Sequence, residues 1–134
     1  MALSDAHVAV RLPAQDLQRA REWYAAKLGL EPVEERPGGL RYVVGGVEFA
    51  LYGSGGRADG SFTQMTFTVP ELEEEVAELR SRGVAFEEYD IPGLETIGGI
   101  ADVEGNYPSK GTGERAAWFR DSEGNMLALG QPTR

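Results

Sequence analysis

The chain has 134 residues, no cysteine, one histidine and a formal net charge of −9. That length holds one domain of ordinary size, with a core large enough to need no disulfide or structural metal. The missing cysteines exclude thiolate catalysis and zinc–cysteine or iron–sulfur sites, the negative charge opposes binding to nucleic acid or anionic lipid, and no apolar run approaches a spanning helix, so a cytoplasmic protein without membrane contact is expected.

Residues 7–13 alternate, with Val8, Val10 and Leu12 on one face and His7, Ala9 and Arg11 on the other, which predicts a strand with one core face. Asp16 offers a helix N-cap. Leu17, Ala20, Tyr24 and Leu28 then recur on one helical face until Gly29 supplies a left-handed stop, and Trp23 and Tyr24 read as core or interface aromatics. Strands are predicted near 30–35, 40–44 and 47–52, the last two joined by Gly45-Gly46 as a two-residue hairpin turn. Residues 53–61 have the composition of a linker and no apolar period.

The pattern then restarts. Residues 64–70 repeat the alternation of 7–13 and its terminal proline. A helix over 71–82 puts Leu72, Val76 and Leu79 on one face, has its glutamates solvated in the first turns, and stops at Gly83. Strands follow near 84–89, 115–120 and 125–130, the last two joined by Asp121-Ser122-Glu123-Gly124, which suits a type I turn closed by a glycine bulge. The whole reads as a tandem βαβββ repeat offset by about 57 residues, from His7 to Gln64. This predicts one α+β domain over 1–134, with module one at about 5–53, a linker at about 53–61 and module two at about 62–132. Residues 91–114 hold six glycines without a sustained period; they read either as a mobile surface loop or as a lid over a ligand.

Three segments carry a family resemblance: His7-Val-Ala-Val-Arg-Leu12, the helix from Asp16-Leu17 through Trp23-Tyr24 to Leu28-Gly29-Leu30, and Trp118-Phe-Arg-Asp-Ser-Glu-Gly-Asn125 running into Met126-Leu127-Ala128-Leu129. In these the chain resembles the vicinal oxygen chelate superfamily, the glyoxalase, bleomycin-resistance and dioxygenase group. The resemblance implies two βαβββ modules forming a curled mixed sheet around a shared cavity, and a homodimer. In metal-dependent members each module supplies a His or Gln from its first strand and a carboxylate from its last. His7 and Gln64 stand at the first-strand positions here. The carboxylates are expected four residues after the hairpin glycines, and Gly46 plus four is Ala50 while Gly124 plus four is Ala128. An imidazole and an amide without an anionic ligand make a poor site for a hard divalent ion. No cofactor is therefore expected, and a divalent metal (Mn, Ni, Zn or Fe) on His7, Gln64 and Glu48 is the disfavoured alternative.

If His7 marks the concave face, alternation brings Ala9, Arg11, Glu48, Ala50, Tyr52, Gln64, Thr66, Thr68, Met126 and Ala128 to it, with Trp118 nearby. The plain alternatives are a cross-strand ion pair between Arg11 and Glu48, ordinary packing for Tyr52, Met126 and Trp118, and a solvated or hydrogen-bonded His7. The function expected is metal-free small-molecule binding of the drug-sequestering, antibiotic-resistance type, with the acidic charge favouring cationic ligands. The alternatives are a metal-dependent lyase, isomerase or dioxygenase of the glyoxalase kind, or a metal-free isomerase or cyclase with His7, Glu48 or Tyr52 as the catalytic group.

Overall fold

Period-two alternation, broken by glycine turns, gives most of the strands in the computed structural model, which describes residues 1–105 and 111–133. The elements are β1 (Val10–Ala14), α1 (Leu17–Trp23), β2 (Glu34–Arg36), β3 (Gly39–Val44), β4 (Val47–Gly53), β5 (Met65–Thr68), α2 (Leu72–Ser81), β6 (Asp90–Ile91), β7 (Leu94–Glu95), β8 (Ala101–Glu104), β9 (Gly113–Arg120) and β10 (Met126–Thr133). They build two four-stranded mixed sheets of the same plan, ordered β1-β4-β3-β2 and β5-β10-β9-β8. In each, the first strand pairs parallel with the last and the rest are antiparallel. The fold is α+β.

The local signals act as read. The Asp16 carboxylate caps α1 by accepting from the Arg19 N–H at 3.0 Å. Beyond Trp23 the helix widens into a π turn over Tyr24–Leu28, closed by Gly29 at φ 69°. Gly45 and Gly46 take φ values of 57° and 78°, as a hairpin whose two central residues are left-handed requires. The core joins both halves. Leu12, Tyr24, Tyr42, Phe49 and Leu51 from the first half pack with Leu72, Val76, Phe119, Leu127 and Leu129 from the second, and Phe49 meets Phe67 edge to face at 6.3 Å.

Three expectations are corrected. The first strand begins at Val10, so His7 lies before it, and Val8 is 80% exposed instead of facing the core. Of the strand expected near 84–89 only a bridge forms, Phe86 to Phe119, with the Glu87 N–H donating to the Trp118 carbonyl at 2.8 Å. The neighbouring stretch of β9 is paired by β8, so one edge is shared by two short pieces with an excursion between them. That excursion occupies part of the glycine-rich 91–114 segment, which carries the β6–β7 hairpin and β8 and is not a continuous loop. Its residues 106–110 lie outside those described, and with them that part of the lid reading.

Candidate functional site

The two sheets present their second faces differently. In the first sheet, Leu12, Leu40, Tyr42, Phe49 and Leu51 point into the core, and alternation turns Arg11, Arg41, Glu48, Ala50 and Tyr52 the other way. The register places Ala50 directly between Arg11 on β1 and Arg41 on β3, with Glu34 of β2 next in the same row. These residues line a groove of about 410 Å³ together with Arg36, Glu48 and Tyr52.

Its charges are partly spent on one another. The Arg36 guanidinium donates to Glu34 at 2.8 Å and the Arg41 Nε at 3.2 Å, and these two cations, Arg36 foremost, hold the Glu34 carboxyl below its ordinary range. Arg41 also reaches the Glu48 carboxylate at 3.4 Å, and the His7 Nε2 lies 3.8 Å from the same oxygen. The expected Arg11–Glu48 pair does not form; Arg41 and His7 take its place. Arg11 and Arg41 flank Ala50 in one row, each a diagonal step from Glu48, and it is Arg41 that reaches the carboxylate.

A second cavity, of about 460 Å³, lies between the modules. Val10, Val44, Val47 and Phe49 form one wall, Gln64, Met65, Thr66, Phe67 and Thr68 the other, and Glu48 lines both this cavity and the groove. The predicted site residues thus divide. His7, Arg11, Glu48, Ala50 and Tyr52 come together on module one, and Gln64 and Thr66 face the space between modules. Met126 and Ala128 are 1% and 2% exposed. The Trp118 indole donates to the Thr63 hydroxyl at 3.0 Å and packs edge to face on Tyr89. The Gln64 carboxamide is committed at both ends, donating to the Asn125 Oδ1 at 2.9 Å and accepting from the Met126 N–H at 3.1 Å.

Asn125 belongs to a polar clasp that fixes one module against the other. Its Nδ2 donates to the Pro13 carbonyl and to Asp121, and the Tyr24 hydroxyl donates to the Asp121 carboxylate at 2.6 Å. Beside them Arg19 grips Glu123 with two bonds, at 2.8 and 2.9 Å. The Glu123 carboxylate also accepts the Asp16 N–H. Arg19 is the main cause that lowers the Glu123 carboxyl to about 2, while burial is the main cause that raises the Tyr24 phenol well above its ordinary value. The sequence marked Asp121–Gly124 only as a turn and Tyr24 only as an aromatic; no local pattern signals a contact spanning 97 positions.

The donor set does not fit a hard divalent ion of the kind that the resemblance implies. Ala50 and Ala128 bring no oxygen, the Gln64 carbonyl is taken, and Glu48 is held by a guanidinium. Among the described residues no three His, Cys, Asp or Glu side chains converge.

Compared with known proteins, residues 6–129 match the family profile described as the Glyoxalase/Bleomycin resistance protein/Dioxygenase superfamily. Among curated proteins none matches the chain. Solved structures of the same fold include a glyoxalase/bleomycin resistance protein/dioxygenase from Alicyclobacillus acidocaldarius, with TM-score 0.71 and 14% identity over 100% of this chain and 96% of that one. TnmS3, an antibiotic binding protein from a Streptomyces species, has TM-score 0.65 and 22% identity over 98% and 100%. The fosfomycin resistance protein FosX from Listeria monocytogenes has TM-score 0.66 and 11% identity over 96% and 94%.

Proposed function

From the premise that the chain belongs to the Glyoxalase/Bleomycin resistance protein/Dioxygenase superfamily, we propose that it is a small-molecule binding protein of the drug-sequestering type, working without a metal ion. The observation that carries this reading is the pairing of two adjoining depressions, one apolar and one charged, with alanine at both positions where metal-dependent members need a carboxylate. Such a surface holds a ligand by burial and orientation, which is what a binding site requires and a metal centre does not supply. The likeness in fold to an antibiotic binding protein supports the small-molecule binding in this reading.

The protein works in this reading as a cytoplasmic homodimer. In such a dimer Val8, Val47 and Phe62, which are 80%, 63% and 68% exposed, are apolar side chains that a second copy would cover. Among the described residues no helix is long and apolar enough to cross a membrane. The test is thermal unfolding against aromatic and glycopeptide antibiotics at saturating concentration, with and without chelator. A ligand that binds the native state raises the midpoint by several degrees, equally in chelator; no rise with any of them overturns the proposal.

A second reading, a metal-free isomerase or cyclase, is favoured by one observation, the meeting of His7 and Glu48 at 3.8 Å. Two titratable groups at the mouth of a cavity can pass a proton between them and a substrate. Glu48→Gln abolishes turnover on that reading and leaves pure binding within a few-fold of the parent.

A further inference from the structure

We infer that the groove on module one is an anion site, and that it takes an organic acid with its carboxylate over Ala50 and its apolar body on Tyr52. The inference rests on the small-molecule reading above and names the chemical class of the ligand.

The argument starts from the row Arg11, Ala50, Arg41, Glu34. Directly opposed residues on neighbouring strands have Cβ atoms about 5 Å apart, so two guanidinium-bearing side chains flank a position that offers only a methyl group. The groove holds three guanidiniums, Arg11, Arg36 and Arg41, against two carboxylates, Glu34 and Glu48. Glu34 is shared by Arg36 and Arg41, and Glu48 is held by Arg41 and His7. Among the described residues Arg11 makes no ion pair or hydrogen bond. In a chain of net charge −9 the groove therefore reverses sign locally, and one cation facing it lacks a counter-ion. A planar carboxylate matches the two-pronged donor geometry of a guanidinium better than any neutral group, and a half-enclosed groove strengthens the pairing relative to open water.

The neighbours along β4 orient the rest of the ligand. Tyr52 and Glu48 sit on the same face as Ala50, one pleat period of about 6.6 Å to either side. The Glu48 carboxylate repels an anion and the Tyr52 ring, 39% exposed, offers an apolar face. The acid head settles between Arg11 and Arg41, and the body extends toward Tyr52, away from Glu48. The whole-chain charge favours cations at long range, as the composition implies, but the short-range row decides what the groove holds.

The experiment is titration calorimetry with 2-naphthoate and its neutral isostere 2-naphthamide, on the parent chain and on Arg11→Ala, Arg11→Gln and Ala50→Asp. We expect the parent to bind the acid at least tenfold more tightly than the amide. Each variant should bring the two within twofold, Ala50→Asp because it supplies the counter-ion from the protein itself. The two Arg11 variants decide the matter if Ala50→Asp fails to fold. Equal binding of acid and amide by the parent, or a preference that survives loss of Arg11, overturns the anion site while leaving the small-molecule reading in place. Failure of both probes to bind also overturns it, whereas the small-molecule reading falls only if the antibiotics leave the melting midpoint unmoved.

Discussion

Ala50 and Ala128 occupy the same slot in two sheets of the same plan. Each lies four residues after a hairpin glycine, on the strand that pairs parallel with the first strand of its module. Their surroundings differ completely. Ala50 stands between Arg11 and Arg41 at the floor of an open groove; Ala128 stands between Thr66 and Trp118 and is 2% exposed. One topology thus carries an open, charged face and a closed, mostly apolar one. The repeat dictates where a side chain points, and the cross-strand neighbours, far away in sequence, dictate what chemistry it meets.

The largest expected effect tests this contrast with one substitution made twice. Ala128→Asp buries a carboxylate with no cation in its row, and should lower the unfolding free energy by roughly 3 kcal/mol or more. Ala50→Asp places the same group between two guanidiniums near solvent, and should stay within about 1 kcal/mol of the parent. Urea denaturation followed by tryptophan fluorescence measures both. Similar losses at the two positions would break the comparison.

Next in size is the clasp that holds the modules together. The Glu123 carboxyl sits at about 2, against an ordinary 4.5, so its charged form stabilises the folded state. That contribution is fully present above pH 4.5 and is lost as the pH falls through about 2; a shift of this size corresponds to roughly 3 kcal/mol. Glu123→Gln should therefore destabilise the protein markedly at pH 7, and the gap from the parent should close as unfolding is measured at successively lower pH between 4.5 and 2.

The two hairpins differ by a smaller margin. Gly46 and Gly124 both have positive φ, 78° and 87°. A Cβ at Gly46 meets nothing within 4 Å, whereas one at Gly124 would come within 2.8 Å of the Ala58 carbonyl oxygen, where residues 53–61 lie against the turn. Gly46→Ala should cost about 1 kcal/mol through backbone strain alone, and Gly124→Ala about 2 kcal/mol or more. Smallest of all, Tyr52→Phe should change stability by less than about 0.5 kcal/mol, since the ring is exposed and outside the core; equilibrium unfolding in urea checks all three.

Much of the plan was legible from residue order. The Asp16 cap, the buried face of Leu72, Val76 and Leu79, and the Gly45-Gly46 turn are local signals read within a few residues, and they hold. The first strand starts later than the alternation implies, because the pattern continues through His7 and Val8 whereas pairing with β4 begins only at Val10, opposite Phe49. Of the strand near 84–89 only Phe86 and Glu87 make ladder contacts, with Phe119 and Trp118, and from Ala116 back to Gly113 the same edge of β9 is paired by Ala101–Glu104.

By itself the amino-acid sequence determined the tandem βαβββ plan, the family and the two alanines, because periodicity, turn residues and motif spacing are properties of neighbours along the chain. Only the tertiary structure decided that Glu48 pairs with Arg41 and His7 and not with Arg11, that the Gln64 amide is spent on Asn125 and Met126, and that Tyr24 reaches Asp121. These depend on strand register and on the packing of one module against the other. A charged side chain on a known face has several partners within reach, and the free energy differences that choose among them arise only when the strands are aligned and water is removed.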